Sequence, residues 1–514
     1  MFLKNEFLQN SMVLQLIQKE NFDLISINKE QTEYLLERKR KNKKDVVHIS
    51  MNQMDWKREL LSFNKHLENS YTKHQATTIW KKNIHFHHVY VVDYQPVDSW
   101  EELKVTSSNR MKSSVYMLDI DSKEEEIERL IRALDLALSF QTDVSEDLME
   151  LEQRNVNLKQ NILFEHTKQQ QQLQQLFKQG KPFWTYLLLA INIVMYILLE
   201  FNGGSTSTKN LIEFGAKYNV AIIDGEWWRL ISSMFLHIGI AHILLNMIAL
   251  YYIGTLVERI YGGTRFLIIY FIAGIVGGLA SFALNPSIAA GASGAIFGLF
   301  GALLFFGSQY PKAFFRTMGW NIIIVIIINI IFGFSMPQID NGAHIGGLIG
   351  GAIGAAVVMF KQRSKILWQT AALLLLLLVS GGIWFYGNAN EEVQFDETLQ
   401  VIHSHMLLEQ EQYEKTYEVL TKAMPYADKL EAELRFNRSY ASIFLNKNQE
   451  AITDLERTIE IKPEYHEALY NLALLYHEEN RREEALDLLK KAVELAPNNQ
   501  DYQQFYEQLQ KETI

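Results

Sequence analysis

The chain has 514 residues, a net charge of −10, a mean hydropathy of −0.06 and no cysteine, so disulfides, thiolate catalysis and zinc–thiolate sites are excluded. The mean conceals a segregation: the two ends are polar and the middle holds nearly all the long apolar runs, which predicts a membrane-embedded centre between soluble domains. Residues 391–514 carry 26 acidic and 13 basic side chains, a balance of −13 that argues against nucleic-acid binding.

Residues 1–140 read as a soluble cytoplasmic α+β domain. Met1 to Lys44 is too polar to contain the apolar stretch of a cleavable signal peptide. Strand-like runs cover Asp23–Asn28, Asp45–Ser50, His88–Tyr94 and Ser113–Asp119, and helix-like runs cover Asp55–Tyr71 and Lys123–Leu138. His85-Phe86-His87-His88 leads into the third strand, with His85 and His87 on one face and His88 on the other. A divalent cation such as zinc or manganese is expected on His85, His87 and His88, the two imidazoles on one face beginning the site and Asp93, Asp119 or Asp121 completing it. A surface histidine cluster on an edge strand is the competing reading. Residues 141–181 read as a helical stalk whose glutamine-rich stretch Gln169–Gln175, with Leu173, Leu176 and Phe177, is expected to run into the membrane.

Seven apolar stretches are long enough to approach a bilayer crossing: 183–200, 233–256, 265–285, 292–309, 319–335, 342–360 and 366–387. Lys178 and Lys181 precede the first; Arg259 and Arg265, Lys312 and Arg316, and Lys361, Arg363 and Lys365 flank alternate loops thereafter. Loops 286–291 and 336–341 have no basic residue, which predicts a cytoplasmic N-terminus and a C-terminal tail outside the cell membrane. Lys209, Lys217 and Arg229 in the 201–230 loop are the imperfect vote. The expected division is a six-helix core at 182–361, a seventh membrane helix at 362–388 and a repeat domain at 389–514.

In that last region Ala451, Leu455 and Pro463 recur 34 residues later as Ala485, Leu489 and Pro497, and Leu472, Ala473, Tyr476 and Ala492 complete the second copy. Thr416, Leu420 and Ala423 form a weaker earlier one. The period resembles the tetratricopeptide repeat, a helix–turn–helix module, and implies a protein partner. No catalytic candidate lies beyond residue 344, so the tail is expected to be dispensable for cleavage itself.

Three polar clusters interrupt the apolar centre: His237, His242 and Asn246 in the second stretch, Gly291-Ala292-Ser293-Gly294 opening the fourth, and Ala343-His344 opening the sixth. The alternation of loops puts all three in the outer half of the bilayer. A serine hydroxyl needs a nearby base, and His344 is the only histidine in the later stretches. Gly294, Gly298 and Gly301 on one helix and Gly347 and Gly351 on the other allow close approach. Phe297, one turn beyond Ser293, is placed to pack on the imidazole. Ser293 opens a helix, so its own N–H is free for an oxyanion. His242 and Asn246 share a helix face and offer two further donors. No aspartate lies in the fourth or sixth stretch, and Asp340 sits four residues before His344, so a dyad is favoured over a triad. Taken singly, Gly-Ala-Ser-Gly reads as helix packing, His344 as a proton relay or ligand, and the second-stretch cluster as a metal site. Their common depth favours catalysis.

These motifs, over about 183–360, resemble the rhomboid family of intramembrane serine proteases. Gly225-Glu226-Trp227-Trp228-Arg229 is similar to its tryptophan–arginine motif, His237/His242/Asn246 to its second-helix motif, and Val257-Glu258-Arg259 with Gly262 to the segment that follows. Gly291–Gly294 matches its nucleophile motif and Gly342–Gly347 its histidine motif. The resemblance implies a mainly α, polytopic bundle of six core helices plus one. Ser293 becomes nucleophile, His344 base, and His242, Asn246 and the Ser293 N–H the oxyanion hole, supported by Gly291, Phe297, His237, Trp228 and Arg229. Phe297 stands where several members have tyrosine. The implied substrates are transmembrane proteins cut near the outer face, with no cofactor needed for catalysis. Separately, a cation held by the N-terminal histidines would serve as a regulator. A catalytically dead relative, an adaptor that presents clients to other proteins, and a transporter are the rival readings. The first lacks the serine or histidine, both present here. The third is disfavoured because the last two stretches show no repeat symmetry.

Overall fold

The polar N-terminal third folds around a six-stranded mixed sheet. Strands β1 (Asp23–Ile27), β2 (Glu33–Lys39) and β3 (Lys43–Ser50) form an antiparallel meander. Strand β4 (Asn83–Val91) then pairs parallel with β3 and with β6 (Met111–Leu118), and the short β5 (Thr106–Ser108) closes the edge, in the order β1-β2-β3-β4-β6-β5. In this computed structural model the described residues are 1–40, 43–74, 83–108, 111–140, 147–336, 339–359 and 365–513. Lys361 and Arg363, used above for orientation, lie outside them.

Parallel neighbours require a crossover. Helix α2 (Lys57–His74) supplies it between β3 and β4, and its Leu60 joins Tyr90 and Val115 in a core on one sheet face. The other face carries helix α1 (Phe2–Lys19), which places Met12, Val13 and Leu16 against the sheet beside Ile127, Leu130 and Leu134 of α3 (Lys123–Leu134). Helix α1 and strand β2 were not expected from the sequence. The third expected strand begins five residues earlier than His88. Helix α3 ends four residues earlier than expected, at Asp135, which turns left-handed (φ 50°).

The expected stalk is a different object. Helix α4 (Leu148–Leu176) folds back on α1: Asn155 Nδ2 donates to the Leu3 carbonyl at 2.9 Å, Lys159 pairs with Glu6 at 2.5 Å, and Ile162 joins the core. It stops at Leu176 and does not run into the first membrane helix. The chain divides there into two compact units, Met1–Leu176 and Phe177–Ile514.

The second unit contains the apolar helices. Span 1 is Trp184–Phe201, span 2 Ile240–Tyr261, span 3 Gly263–Leu284, span 6 Asn341–Val358 and span 7 Ile366–Ala389; all five are long and apolar enough to cross a membrane. Span 5 (Gly319–Ser335) qualifies together with Pro311–Thr317, from which it is bent by 72°. Span 4 (Ser293–Gln309) has 17 residues, roughly 25 Å of helix, shorter than a bilayer's apolar thickness. It is buried among its neighbours along most of its length. Span 2 starts later than expected, because Leu236–Gly239 breaks out of helix, with Gly239 at φ 76°.

Glu258 closes the other end of the bundle. Its buried carboxylate accepts the N–H groups of Phe183, Trp184 and Thr185 and the Thr185 hydroxyl at 2.7–3.0 Å, capping span 1 at its positive end.

The tail comprises three helical pairs and a terminal helix. The pairs are Glu397–Glu409 with Tyr413–Ala423, Glu431–Phe444 with Asn448–Ile461, and His466–Glu478 with Arg482–Leu495. Gln500–Thr513 caps the array. Ala451, Leu455, Ala485 and Leu489 are fully buried where the helices cross. The turns within the pairs use Glu411 (φ 57°), Asn446 (φ 59°) and Asn480 (φ 64°), so the first, weakest copy is built on the same left-handed turn as the others. The tail packs on the loop between spans 1 and 2: Tyr218 donates to the Leu399 carbonyl.

Candidate active site

Spans 3, 4 and 6 are held together by missing side chains. A Cβ on Gly347 would collide with the Gly294 carbonyl, one on Gly351 with the Gly298 carbonyl, and one on Gly301 with the Leu348 carbonyl. On span 3, a Cβ on Gly277 would lie 2.8 Å from the Ala343 carbonyl. Main chains therefore touch, and the residues opening spans 4 and 6 are brought face to face. Phe297 lies parallel on His344, with ring centroids 4.1 Å apart and planes 11° apart. Ser293 and Ala343 line one cavity. No hydrogen bond joins Ser293 Oγ to His344 among the described residues; catalytic contacts without substrate are commonly longer than in the reacting complex.

His344 Nδ1 is buried without a hydrogen-bond partner. Asp340, the one carboxylate nearby in sequence, is engaged elsewhere: it caps span 6 by accepting the Ala343 N–H at 2.9 Å and takes the Ser281 hydroxyl of span 3. It orders the helix that carries His344 without touching the imidazole by a hydrogen bond.

Ser293 is the first residue of span 4, so its N–H has no partner in the helix ladder. Gly291 before it takes φ 148°, and a side chain there would strike the His242 ring at 2.8 Å, which accounts for glycine at this position. The Gly291 N–H donates to Ser233 at 2.9 Å and the Ala292 N–H to His237 Nε2 at 3.4 Å. His237 thus holds the loop before the serine. The Ile238 N–H points at His242 Nδ1 at 3.4 Å, which assigns the proton to Nε2, the nitrogen turned toward Gly291 and Ser293. Asn246, buried, gives one amide hydrogen to the His242 carbonyl at 3.0 Å and keeps a second.

Arg229 braces the loop between spans 1 and 2. It bonds Glu226 at 2.6 Å, donates to the carbonyls of Ile212 at 2.7 Å and Ala216 at 3.2 Å, and lies 4.7 Å over the Trp228 ring. Lys217, on the same loop, is equally buried and donates to the Asn285 carbonyl at 2.7 Å. Both cations are engaged with backbone, which explains why this loop votes weakly for orientation. A cavity of about 50 Å³ lies behind Ser293, with Lys217, Ser233, Ser281 and Asp340 in its wall. Sequence reading weighed Lys217 only for orientation and did not single out Ser233 or Ser281; their burial marks them.

In the N-terminal unit the histidines divide as their spacing requires. The parallel register sets Asp45 directly beside His85, and with His87 they form a cluster whose ligand atoms lie within 4.8 Å of one another. His88 faces the opposite side, 3.1 Å from Glu68 and beside His48. Asp93 bonds Asn5, and Asp119 accepts the Ser122 N–H. The clustered carboxylate is therefore Asp45. Asp93 stands eight residues from His85, roughly 25 Å along an extended strand, beyond the end of β4. Burial pushes His85 down to about 3, helped by the charges of His87 and Lys112, and lowers His87, so both rings are neutral.

Spans 4 and 6 of this apolar helix bundle thus pack main chain to main chain where Ser293 and His344 lie in their first turns. The model of the rhomboid domain matches residues 224–362, and that of the tetratricopeptide repeat matches 445–509. The chain belongs to the rhomboid family. It is 36% identical over 458 residues to rhomboid protease GluP of Bacillus subtilis (strain 168), covering 88% of each chain. Rhomboid protease AarA of Providencia stuartii is 29% identical over 240 residues, 41% of this chain and 85% of the relative. RHOMBOID-like protein 2 of Arabidopsis thaliana is 40% identical over 174 residues, 31% and 51% of the two chains.

Proposed function

We propose that this protein is an intramembrane serine endopeptidase working through a Ser293–His344 dyad. The relatives named as rhomboid proteases support the activity in general terms. The observation that carries the residue assignment is the glycine interlock of spans 4 and 6, with Phe297 stacked on His344 one turn from Ser293. His344 takes the Ser293 proton as Oγ attacks the scissile carbonyl, and returns it to the leaving amine. The Ser293 N–H at the positive end of span 4, His242 Nε2–H and the second Asn246 amide hydrogen stabilise the oxyanion. Water then releases the acyl-enzyme. The cavity beside Ser293 is large enough to admit water, which needs at least about 10–15 Å³ of such space. The unpartnered Nδ1 of His344 favours a dyad over a triad. No cofactor enters these steps. Ser293→Ala and His344→Ala should each abolish cleavage of a single-span model substrate in liposomes at unchanged insertion; cleavage by either variant would overturn the assignment.

In this reading the protein lies in the cell membrane with its N-terminus cytoplasmic and its repeats outside. Substrates are transmembrane proteins cut near the outer face, and the repeats bind a protein partner, which leaves room for presenting clients to other machinery.

A second site is favoured by one observation: both Asp45 oxygens and His87 Nε2 are buried without a hydrogen-bond partner. Asp45, His85 and His87 fit a divalent cation such as zinc or manganese, with Tyr116 OH at 3.2 Å from His87 Nδ1 leaving Nε2 for the metal. Arg40 and Lys43, 3.1 and 3.6 Å from Asp45, compete for it. Calorimetric titration of Met1–Leu176 with zinc or manganese should give saturable binding that His85→Ala/His87→Ala abolishes and His88→Ala preserves. No saturable binding, or equal loss with His88→Ala, retires the site.

A further inference from the structure

Residues 217–219 stand between the nucleophile and the tail. Tyr218 is extended (φ −142°, ψ 110°), so its neighbours face one way and its own ring the other. Lys217 and Asn219 grip the loop between spans 3 and 4. Lys217 exchanges two main-chain hydrogen bonds with Ala289, at 2.8 and 3.0 Å, and its Nζ reaches the Asn285 carbonyl. Asn219 Nδ2 donates to the carbonyls of Phe282 at 3.3 Å and Asn285 at 3.1 Å. That loop runs directly into Gly291 and Ser293.

Tyr218 points instead at the first tail helix, Glu397–Glu409. Its ring is buried among Ile212, Val220, Leu399, Ile402 and Met406, and lies 5.6 Å from His403. Its hydroxyl donates to the Leu399 carbonyl at 2.9 Å. Two ion pairs flank the junction, Lys415 with Asp224 and Lys209 with Glu409. Asn390 ties the linker to the Ala283 carbonyl at 3.1 Å.

We propose that Tyr218 is a positioning residue for the reaction, and that docking of the first tail helix on it fixes the loop that sets Ser293. The inference rests on reading Ser293 as the nucleophile. The chain of contacts is short: Leu399, Tyr218, then Lys217 and Asn219, then 285–289, then Ser293. Loss of the tail contact frees the segment at Tyr218, and the grip on 285–289 loosens with it. A misplacement of about 1 Å at a reacting group costs on the order of 100-fold in rate. On this proposal the first tail helix contributes to cleavage, and only the later repeats are dispensable. A partner bound to the repeats changes cleavage to the extent that it binds the docked and undocked states differently.

The test uses the full chain in liposomes. Tyr218→Ala perturbs the loop side and Ile402→Glu the tail side. Each should lower kcat about 10- to 100-fold with KM little changed. Labelling of Ser293 by a fluorophosphonate should slow in parallel. The double variant should be no worse than the stronger single one, because both break one contact. Tyr218→Phe, which keeps the ring, should recover most of the rate, and Glu409→Ala, in an exposed pair, should match wild type. Wild-type kcat in Ile402→Glu, a change confined to KM, or multiplicative losses in the double variant would overturn the proposal. Should Tyr218→Ala fail to insert, Ile402→Glu and Tyr218→Phe still decide it. Failure of the nucleophile reading shows separately, as cleavage by Ser293→Ala.

Discussion

Replacing Gly347 with alanine should disable the enzyme while leaving it inserted. The new methyl group would collide with the carbonyl of Gly294, the residue after Ser293. A backbone oxygen in a packed helix cannot turn aside, so spans 4 and 6 must separate. Overpacking of this kind costs about 1–3 kcal/mol, which an inserted bundle survives. Catalysis is less tolerant, since a shift of about 1 Å between Ser293 and His344 costs on the order of 100-fold. Gly354, seven residues further along the same span, is the control: a methyl there would meet the Ile272 side chain at 3.2 Å, and a side chain can yield. Gly381 and Gly382 in span 7 would meet nothing within 4 Å. The expected order of kcat is therefore Gly347→Ala far below Gly354→Ala, with Gly381→Ala equal to wild type. Cleavage of a fluorogenic transmembrane substrate in liposomes, beside thermal unfolding of each variant, measures both effects. Near-normal kcat in Gly347→Ala, or equal losses across the series, would refute the argument that main-chain contact sets the site.

Asn246→Ala should lose about 10²–10³ in kcat and keep measurable activity, as expected for one of several oxyanion donors; complete inactivity at equal protein level would assign it a larger role. The Met1–Leu176 unit should lose stability in acid. Burial, then the charge of His88, lowers His48 to about 3, below its ordinary unfolded value near 6.5, so the unfolded chain takes up the proton first and stability falls as pH drops through 6.5. At pH 5 the loss from His48 alone is about 2 kcal/mol, and equal urea midpoints at pH 7 and pH 5 would count against it. Protease added to cells with opened walls should remove the repeats and spare residues 1–176; the reverse pattern would overturn the orientation.

The spans and the repeat were legible because each rests on composition at a fixed length. Apolar runs of about 20 residues and a 34-residue period survive without knowledge of neighbours. Even there, boundaries failed where a side chain or a glycine decides them. Gly239 delays span 2, and Asp135 ends α3 in a left-handed turn. Helix α1 and strand β2 were missed for a different reason. Met12, Val13 and Leu16 are interspersed with asparagine, glutamine and serine that are themselves buried, Gln9 on the backbone of Thr32 and Asn10 on Tyr34. A polar residue buried by such a partner looks, in sequence, like one facing water.

The same limit separates what the sequence states about the site from what it hides. Ser293, His344, Phe297 and the glycines are local signals: their types and spacing already state the packing. Lys217 entered only as a positive charge in a loop, weighed for orientation, and Arg229 as such a charge and as the end of the tryptophan–arginine motif. Their effect on topology depends on remaining solvated, and both are buried on backbone carbonyls. Once buried, each cation fixes loop geometry. Lys217 joins the span 1–2 loop to the one that delivers Ser293, and Arg229 holds that loop on its other flank. Charge in such a loop therefore reports orientation only when exposure is known. Long loops that fold against the bundle are where a count of basic residues loses force, and where a residue such as Tyr218, silent in the sequence, gains its role from the elements on either side of it.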